Sequence, residues 1–363
     1  MKVRMHLAYG WHTNARDVEC ITDAIRKFKP HLVLGESSYM PQDAKLGLER
    51  KFEAARRRKD PLDVRRMFEG TGGTLTLSGT RIDISRPVIE FCVEQGIRFM
   101  YDELWPDIKQ AHGKFRENQE TGKEIHRSRV LFLTGRVTEA VAGYRAVLRK
   151  RIEGLLERDE NSYRYMCQLL PILPLLNGIK GLEEVRILNR IGLYHVGRFE
   201  KLRTDRRFEV SCSFETHPPV FGELGAIMAR GGMGLEVRLD NDIIMRAIIC
   251  DLIVNHLDPM ETWSPLFIAT AHILANMLEG DSLHRFGSVY GAIVRQLQGV
   301  PEPTRTTILL GALSEYFGVH VPLNEQEMLA FVRQRFPEFS TEPTECDAQT
   351  KMQEFMGSGR IIE

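Results

Sequence analysis

A strand–helix–strand unit at the start of the chain is the feature that most constrains the fold. Residues 2–9, KVRMHLAY, alternate apolar and polar side chains, which predicts a strand with one face against a core. In residues 13–30 the apolar side chains recur at helical spacing and Pro30 closes the segment, which predicts a helix. The short run HLVLGE (31–36) then predicts a buried strand. Because strands joined through a helix run parallel, the unit predicts an α/β fold.

The strand and helix signals continue over the first 217 residues. Residues 85–105 repeat the unit, with a helix to Gln95 and a strand from Ile97 to Tyr101. Residues 183–202 predict a strand, a turn and a short helix, and residues 206–215 predict a further alternating strand. We therefore expect an α/β domain over 1–217 with a mixed, mostly parallel sheet flanked by helices.

The pattern of the sequence changes after about Pro218, because few segments beyond it have the alternation that predicts strands. The helical segments predicted beyond that point are Asp240–His256, Ser264–Leu278, Leu283–Gln298, Thr304–Tyr316 and Asn324–Phe336. They predict an all-α region over 218–340. The polar tail, 341–363, is expected to be frayed.

Charge and cysteine usage limit the functional classes. Lysine plus arginine equals aspartate plus glutamate at 49 each, and this balance disfavours nucleic-acid and membrane-surface proteins. No apolar stretch of about 20 residues is present, so no membrane partner is expected. The six cysteines are widely spaced without a Cys-x-x-Cys pair, and the start of the chain lacks a signal-peptide core. Both features favour a cytoplasmic protein with reduced thiols.

Polar residues follow the predicted strands at His12, Glu36, Asp102, Glu103 and His195. Neighbouring parallel strands lie roughly 4.8 Å apart, so these side chains could converge at one sheet edge. Imidazole and carboxylate together suit zinc or manganese, and a metal with an open position can generate hydroxide at neutral pH. Without a metal, a His–Glu pair could act as a general base and its orienting partner. The alternative is that each residue only marks a strand end or caps a helix.

The order of three segments resembles the order of motifs in a known superfamily. They are FKPHLVLGE with Glu36, CVEQGIRFMYDE, and GLYH (192–195) followed by Gly197. Over about residues 1–215 this order resembles the superfamily of TraB/PrgY pheromone-shutdown proteins, Tiki metalloproteases, ChaN-like proteins and EreA-like erythromycin esterases, in which two strands end in Gly-x-x-His. At the first motif this chain departs from the pattern, because Gly10 stands two residues before His12 rather than three.

The resemblance implies a mixed α/β fold with His12, Glu36 and His195 at the site, and Asp102 or Glu103 as the second acid. Members hydrolyse peptides or esters, some with a divalent metal, and others are described as haem-binding. The first hypothesis is therefore a cytoplasmic hydrolase of a small-molecule or peptide substrate, with or without bound manganese or zinc.

The hypothesis assigns overlapping roles to these residues. The metal ligands would be His12, Glu36, His195 and Asp102. The catalytic residues would be His12, Glu36, Glu103, His195 and Arg198. Arg198, three residues after His195, would meet an anionic group of the substrate or an oxyanion; the alternative is a surface arginine at a helix start.

Two other functions remain open from the sequence. The first is a non-enzymatic binding or regulatory protein on the same fold, with the helical region docking a partner. Under the hydrolase hypothesis, the helical region could form a homodimer interface. The second is a nucleic-acid-associated protein that uses basic residues 50–66. Acidic residues are interleaved with that basic run, which makes nucleic acid the least favoured partner.

Overall fold

The strands and helices are taken from a computed structural model, which describes residues 1–10, 15–36, 39–68, 75–77, 80–82, 86–103, 105, 107–214, 223–257, 265–322, 324–337 and 339. His12 and the predicted tail, 341–363, lie outside the described residues. The strands are β1 (Lys2–Gly10), β2 (Leu32–Gly35), β3 (Leu75–Leu77), β4 (Thr80–Ile82), β5 (Arg98–Tyr101), β6 (Glu184–Gly192) and β7 (Phe208–Phe214). The helices are α1 (Ala15–Phe28), α2 (Gln42–Arg58), α3 (Pro61–Phe68), α4 (Arg86–Glu94), α5 (Ile108–Leu133), α6 (Val137–Leu169), α7 (Val196–Thr204), α8 (Glu223–Gly232), α9 (Asn241–Leu257), α10 (Pro265–Asn276), α11 (Gly280–Gln296), α12 (Glu302–Phe317) and α13 (Glu325–Arg335).

Five strands form a parallel sheet in the order β5-β2-β6-β1-β7. The short strands β3 and β4 form a separate antiparallel pair. Helices flank the sheet and continue after it, so the predicted fold class, an α/β sheet followed by an all-α region, is confirmed. Both faces of a parallel sheet are usually covered, and the short strand β2, which is buried along its whole length, reads as a continuous apolar run.

Each face of the sheet has its own core. On one face Met5 and Leu7 of β1 belong to a buried cluster with Met166 of α6 and Phe199 of α7. On the other face Ala8, Val33 and Leu188 belong to a cluster with side chains of α1, α2, α3 and α4. The alternation along β1 therefore places successive side chains in different cores.

A third core joins helices from both halves of the chain. Phe132 of α5 and Leu148 of α6 belong to the same buried cluster as Ile248 of α9 and Phe286 of α11. This core contains residues from either side of residue 217. The domain boundary predicted at that residue stays a prediction.

Helix α6 links the helical core to the sheet. Leu148 lies in the helical core and Met166 lies under the sheet, within one unbroken helix. The helix continues through residues 159–161 without a break. The polar side chains there face α7 and the turn before it, since Asp159 contacts His195 and Glu160 contacts Lys201.

The sheet topology creates a crevice between β2 and β6. After β2 the chain continues towards β5 at one edge, and after β6 it crosses to β7 at the other. Adjacent parallel strands whose connections diverge in this way leave an opening at their carboxyl ends, where ligands of α/β proteins bind.

Two further features bear on the sequence expectations. Within the described ranges, no helix is both long and apolar enough to cross a membrane. Cys20, Cys92, Cys167, Cys212 and Cys250 are free thiols. Burial raises the pKa of Cys92 and Cys250, so these two are unreactive core residues.

Candidate functional site

Glu36 and His195 meet at the crevice. Glu36 directly follows β2, and the backbone N–H of Gly192, at the end of β6, donates to its Oε2 at 2.7 Å. His195 stands on the turn between β6 and α7, where its backbone N–H donates to the Gly192 carbonyl at 3.0 Å. Its Nε2 lies 3.4 Å from Oε1 of Glu36. The ends of two adjacent strands therefore hold an imidazole against a carboxylate.

The other ring nitrogen of His195 faces Asp159 of α6. Nδ1 lies 2.7 Å from Oδ1 of Asp159, and both side chains are buried. A carboxylate only accepts hydrogen bonds, so Nδ1 carries a proton. Burial alone lowers the pKa of His195, but the carboxylates of Asp159 and Glu36 outweigh it and raise the pKa to about 9. His195 is thus an imidazolium at neutral pH.

Two more acids, Asp102 and Glu103, follow β5. Asp102 Oδ2 accepts from Nδ2 of Asn189 at 3.0 Å and is paired with Arg198. Glu103 accepts from the indole N–H of Trp105 at 2.9 Å and from Arg158. Both carboxylates are fully buried. Burial raises the pKa of Glu103, and Arg158 opposes that shift.

Two arginines neutralise these acids. The guanidinium of Arg158 lies 2.5 Å from Glu36 and 2.5 Å from Glu103, so it joins the ends of β2 and β5. Arg198 on α7 pairs with Asp102 and lies 3.4 Å from Asp159. The Arg198 side chain has no exposed surface, so its anionic partners here are carboxylates of the protein rather than of a substrate.

The structure thus brings the described predicted site residues into one group, which we call the strand-end cluster. Its members are Glu36, Asp102, Glu103, Arg158, Asp159, Asn189, His195 and Arg198. His12 lies outside the described residues, and Gly10, the last described residue before it, pairs in register with Gly192. Strand β1 therefore ends beside the strand end that carries the cluster.

Asp159, Arg158 and Asn189 were not predicted. Asp159 did leave a signal in the sequence. It lies between Leu155 and Met166 on the buried stripe of α6, whose members are spaced three and four residues apart. A carboxylate at such a position must find a partner when buried, which marks it as a site candidate.

The close approach of α7 to its neighbours depends on Gly197. A Cβ at this position would lie 2.4 Å from the carbonyl oxygen of Gly232 and 3.1 Å from Oδ2 of Asp159. We expect Gly197→Ala to lower the free energy of unfolding by about 1–3 kcal/mol, because α7 must move away from α8. Urea unfolding measures the change. Gly113→Ala, at an exposed position on α5 with open space around the added Cβ, is the control and should not destabilise the protein. Equal stability of both variants would contradict this packing argument.

The described residues offer a poor site for a divalent metal. Of the four predicted ligands, Asp102 is already held by Arg198 and Asn189, and Glu36 shares its Oε1 with Arg158. His195 carries protons that a metal would have to displace. Across the described ranges, no group of three or more His, Cys, Asp or Glu side chains is placed to hold a metal ion. Metal binding stays a prediction that depends on His12.

The basic residues 50–66 pair largely with acids. Arg56 and Arg57 lie within 3.1 Å of Glu53, and Arg66 lies 3.2 Å from Asp63. These pairs reduce the positive charge available to a phosphate backbone.

Comparison of the chain with protein-family models, with curated proteins and with solved structures found no match. The resemblance to the TraB–Tiki–ChaN–EreA superfamily therefore stays a prediction that rests on the motifs. The functional argument that follows depends on the geometry of the strand-end cluster.

Proposed function

We propose that the protein is a hydrolase of ester or peptide bonds that uses His195 and Glu36 as its acid–base pair. The observation that carries the proposal is the position of His195 between two carboxylates at the β2–β6 crevice. Asp159 is buried and suits an orienting role, whereas Glu36 retains 15% exposure and can reach water. A group poised between orienting and reacting partners is typical of general acid–base catalysis.

In the proposed reaction a water molecule attacks the carbonyl carbon of the substrate while Glu36 accepts its proton. The new carbon–oxygen bond forms as the bond to the leaving group breaks, and His195 gives its Nε2 proton to the leaving oxygen or nitrogen. Asp159 keeps the Nδ1 proton and fixes the ring. The proton on Glu36 then returns to His195 across the 3.4 Å gap, which restores both groups. The balance is one water consumed and one acid plus one alcohol or amine released.

Substitution of either partner should strongly reduce the rate of this reaction. We expect His195→Gln and Glu36→Gln each to lower kcat/KM by about 100-fold or more, the usual contribution of general acid–base catalysis. Hydrolysis of p-nitrophenyl butyrate and of a quenched fluorescent peptide mixture provides the assay. His126→Gln, at an exposed position on α5, is the matched control and should retain full activity. Activity that survives both substitutions, or no hydrolysis by the wild type, would reject the proposal.

The metal-dependent version of the hypothesis has its own measurement. Elemental analysis of the purified protein is compared with that of the double variant His12→Ala plus His195→Ala. If the wild type contains stoichiometric zinc or manganese and the double variant does not, a metal-assisted mechanism would replace the metal-free one.

A second function, a non-enzymatic binding protein, is favoured by the burial of the cluster. Asp102, Glu103, Asp159 and Arg198 have essentially no exposed surface, as expected of a structural ion network. In that case the Gln variants would change stability, and the wild type would hydrolyse none of the substrates.

A further inference from the structure

A pocket lies between helix α2 and strand β5, which is the last strand at one edge of the parallel sheet. Its volume is about 490 Å³, within the range of small-molecule sites. Arg98, Phe99 and Met100 of β5 form one wall, and residues of α2 form the rest. None of the described residues that line the pocket belongs to the strand-end cluster, so the pocket is separate from the proposed reacting groups.

Part of the pocket wall is apolar. Leu46 and Ala54 contribute to it from positions about two turns apart on α2, together with Met100 of β5. The Leu46 side chain is large and apolar, yet 39% of its surface is exposed. An apolar group on a ligand would cover this side chain and remove its surface from water.

The charged residues of the lining carry an excess of positive charge. They are Arg50, Arg57, Arg58, Arg98, Glu49 and Glu53. The four arginines exceed the two glutamates by two charges. The lining alone therefore favours an anionic ligand with about two negative charges.

The ion-pair partners outside the lining increase this excess. Three further cations and one acid form these pairs: Lys45, Arg56, Arg66 and Asp63. Lys45 and Arg56 pair with the two glutamates of the lining, and Arg66 shares Asp63 with Arg58. With all of these partners counted, the excess rises from two positive charges to four. Within the described ranges, the surrounding protein therefore does not neutralise the pocket.

One carboxylate holds three of the arginines close together. Three guanidinium groups share Oε1 of Glu53, at 2.7, 3.1 and 3.0 Å; they belong to Arg56, Arg57 and Arg98. Burial lowers the pKa of Arg98, and the charges of Arg56 and Arg57 lower it further against the opposing effect of Glu53. Arg50, two turns before Arg57, has no carboxylate within 4 Å in the part of the chain that the structure describes. A bound anion would relieve the repulsion among these groups.

We propose that this pocket binds a small organic phosphate. The arginines would hold the phosphate group, because a guanidinium forms paired hydrogen bonds with phosphate oxygens. A phosphate monoester carries a charge of about −1.5 to −2 at pH 7, which matches the excess of two positive charges in the lining. The apolar body of the ligand would cover Leu46 and Met100.

A nucleic-acid strand is the other ligand with this chemistry. Proteins that bind single strands stack the bases on aromatic side chains along an extended groove. Phe99 is the one aromatic side chain among the described lining residues, and it is only 6% exposed. The observations therefore favour a single small ligand, and strand binding is an outcome of the test.

Three probes test the pocket by isothermal titration calorimetry. 1-Naphthyl phosphate carries the ring and the phosphate, 1-naphthyl sulfate carries the same ring with one negative charge, and inorganic phosphate lacks the ring. We expect one 1-naphthyl phosphate per chain, bound about tenfold more tightly than either of the other probes. Equal affinity for 1-naphthyl phosphate and 1-naphthyl sulfate would overturn the phosphate assignment.

Two double variants of equal charge locate the binding. Arg50→Gln plus Arg57→Gln changes two exposed side chains of the lining and should weaken 1-naphthyl phosphate binding by about tenfold or more. Lys51→Gln plus Arg66→Gln removes the same charge from exposed positions of α2 and α3 outside the lining, and should retain wild-type affinity. An equal loss in both double variants would mean a general charge effect and would reject the pocket.

A third variant and a competitor separate the parts of the proposal. Leu46→Gln, at an exposed position, should weaken the binding of 1-naphthyl phosphate but not that of inorganic phosphate. Unchanged binding of both probes would reject the apolar contact. A single-stranded oligonucleotide that binds more tightly than 1-naphthyl phosphate and displaces it would overturn the small-ligand assignment in favour of a nucleic-acid surface.

Discussion

Replacement of Arg198 by methionine is expected to lower the free energy of unfolding by about 3–5 kcal/mol, because it leaves buried carboxylates without a cation. Arg198 has no exposed surface, and its guanidinium pairs with Asp102 and lies 3.4 Å from Asp159. Methionine preserves most of the side-chain volume, so the loss reports on charge rather than on a cavity. Urea unfolding followed by circular dichroism at constant pH measures the difference.

Arg203→Met on the same helix is the matched control. Arg203 pairs with Glu200 at the surface, where an ion pair contributes less than about 1 kcal/mol. A double variant, Arg198→Met plus Asp102→Leu, should recover at least about 1 kcal/mol of the loss, since it removes an unpaired buried charge along with the arginine. If Arg198→Met destabilises no more than Arg203→Met, the strand-end cluster is not the buried charge network described here.

The dependence on Arg198 follows from the way the cluster balances its charges. Four carboxylates that follow β2 and β5 or belong to α6 converge at the strand ends, where Arg158, Arg198 and the His195 imidazolium offset their charge. Unpaired carboxylates in such an apolar setting would repel one another and lose hydration. The protonation of His195 is therefore tied to the stability of the fold as well as to its proposed chemistry.

The fold was largely predictable because its strands and late helices carry strong local patterns. Alternation in β1 and the helical spacing of α9 to α13 gave element types that the structure confirms. Helix α5 was not predicted, since its buried positions include Ala111, Thr121 and Ser128, which do not register as an apolar stripe. The insertion of β6 between β1 and β2 depends on pairing residues about 150–180 positions apart, which no local pattern encodes.

The site was predictable where polar residues follow a strand, as at Glu36, Asp102 and His195, because the carboxyl ends of parallel strands share one edge. Asp159 reaches the same point from a helix that crosses the sheet, so its contact with His195 depends on tertiary packing. The sequence predicted a metal ligand or a base at His195, and those roles stay predictions. The carboxylates of Asp159 and Glu36 raise the pKa of His195 to about 9, which supports the acid role proposed above.

The pH dependence of stability should reveal the His195 imidazolium directly. Its pKa is raised from 6.5 to about 9 in the folded protein, so the proton stabilises the fold fully below pH 6.5. That stabilisation is lost as the pH rises through 9. Between pH 6.5 and 8 we expect the free energy of unfolding to fall by about 1.5 kcal/mol. Urea unfolding over this range, with a chelator present, provides the measurement.

The interval between pH 6.5 and 8 separates the effect of His195 on stability from the effects of the other buried bases. The pKa values of His6 and His272 are lowered to about 4 by burial, so their effect on stability lies below pH 6.5. Lys45, whose Nζ donates to the Glu103 carbonyl, has its pKa lowered by burial to about 8, and it increases stability only as the pH rises above 8. Glu103 has a raised pKa and contributes a decline from pH 4.5 upwards, but this decline persists in His195→Gln.

The difference between the wild type and His195→Gln in the pH dependence of the free energy of unfolding therefore reports the titration of His195. The variant keeps a side chain that can donate to Asp159 but cannot titrate, so its stability should lack the component of about 1.5 kcal/mol in the decline between pH 6.5 and 8. The imidazole carbon resonances of selectively labelled histidine, with His195 assigned by its absence in the variant, should titrate near pH 9. A midpoint at or below 6.5 would mean that Asp159 and Glu36 do not hold the proton. His195 would then be free to act as a base rather than as the proposed acid.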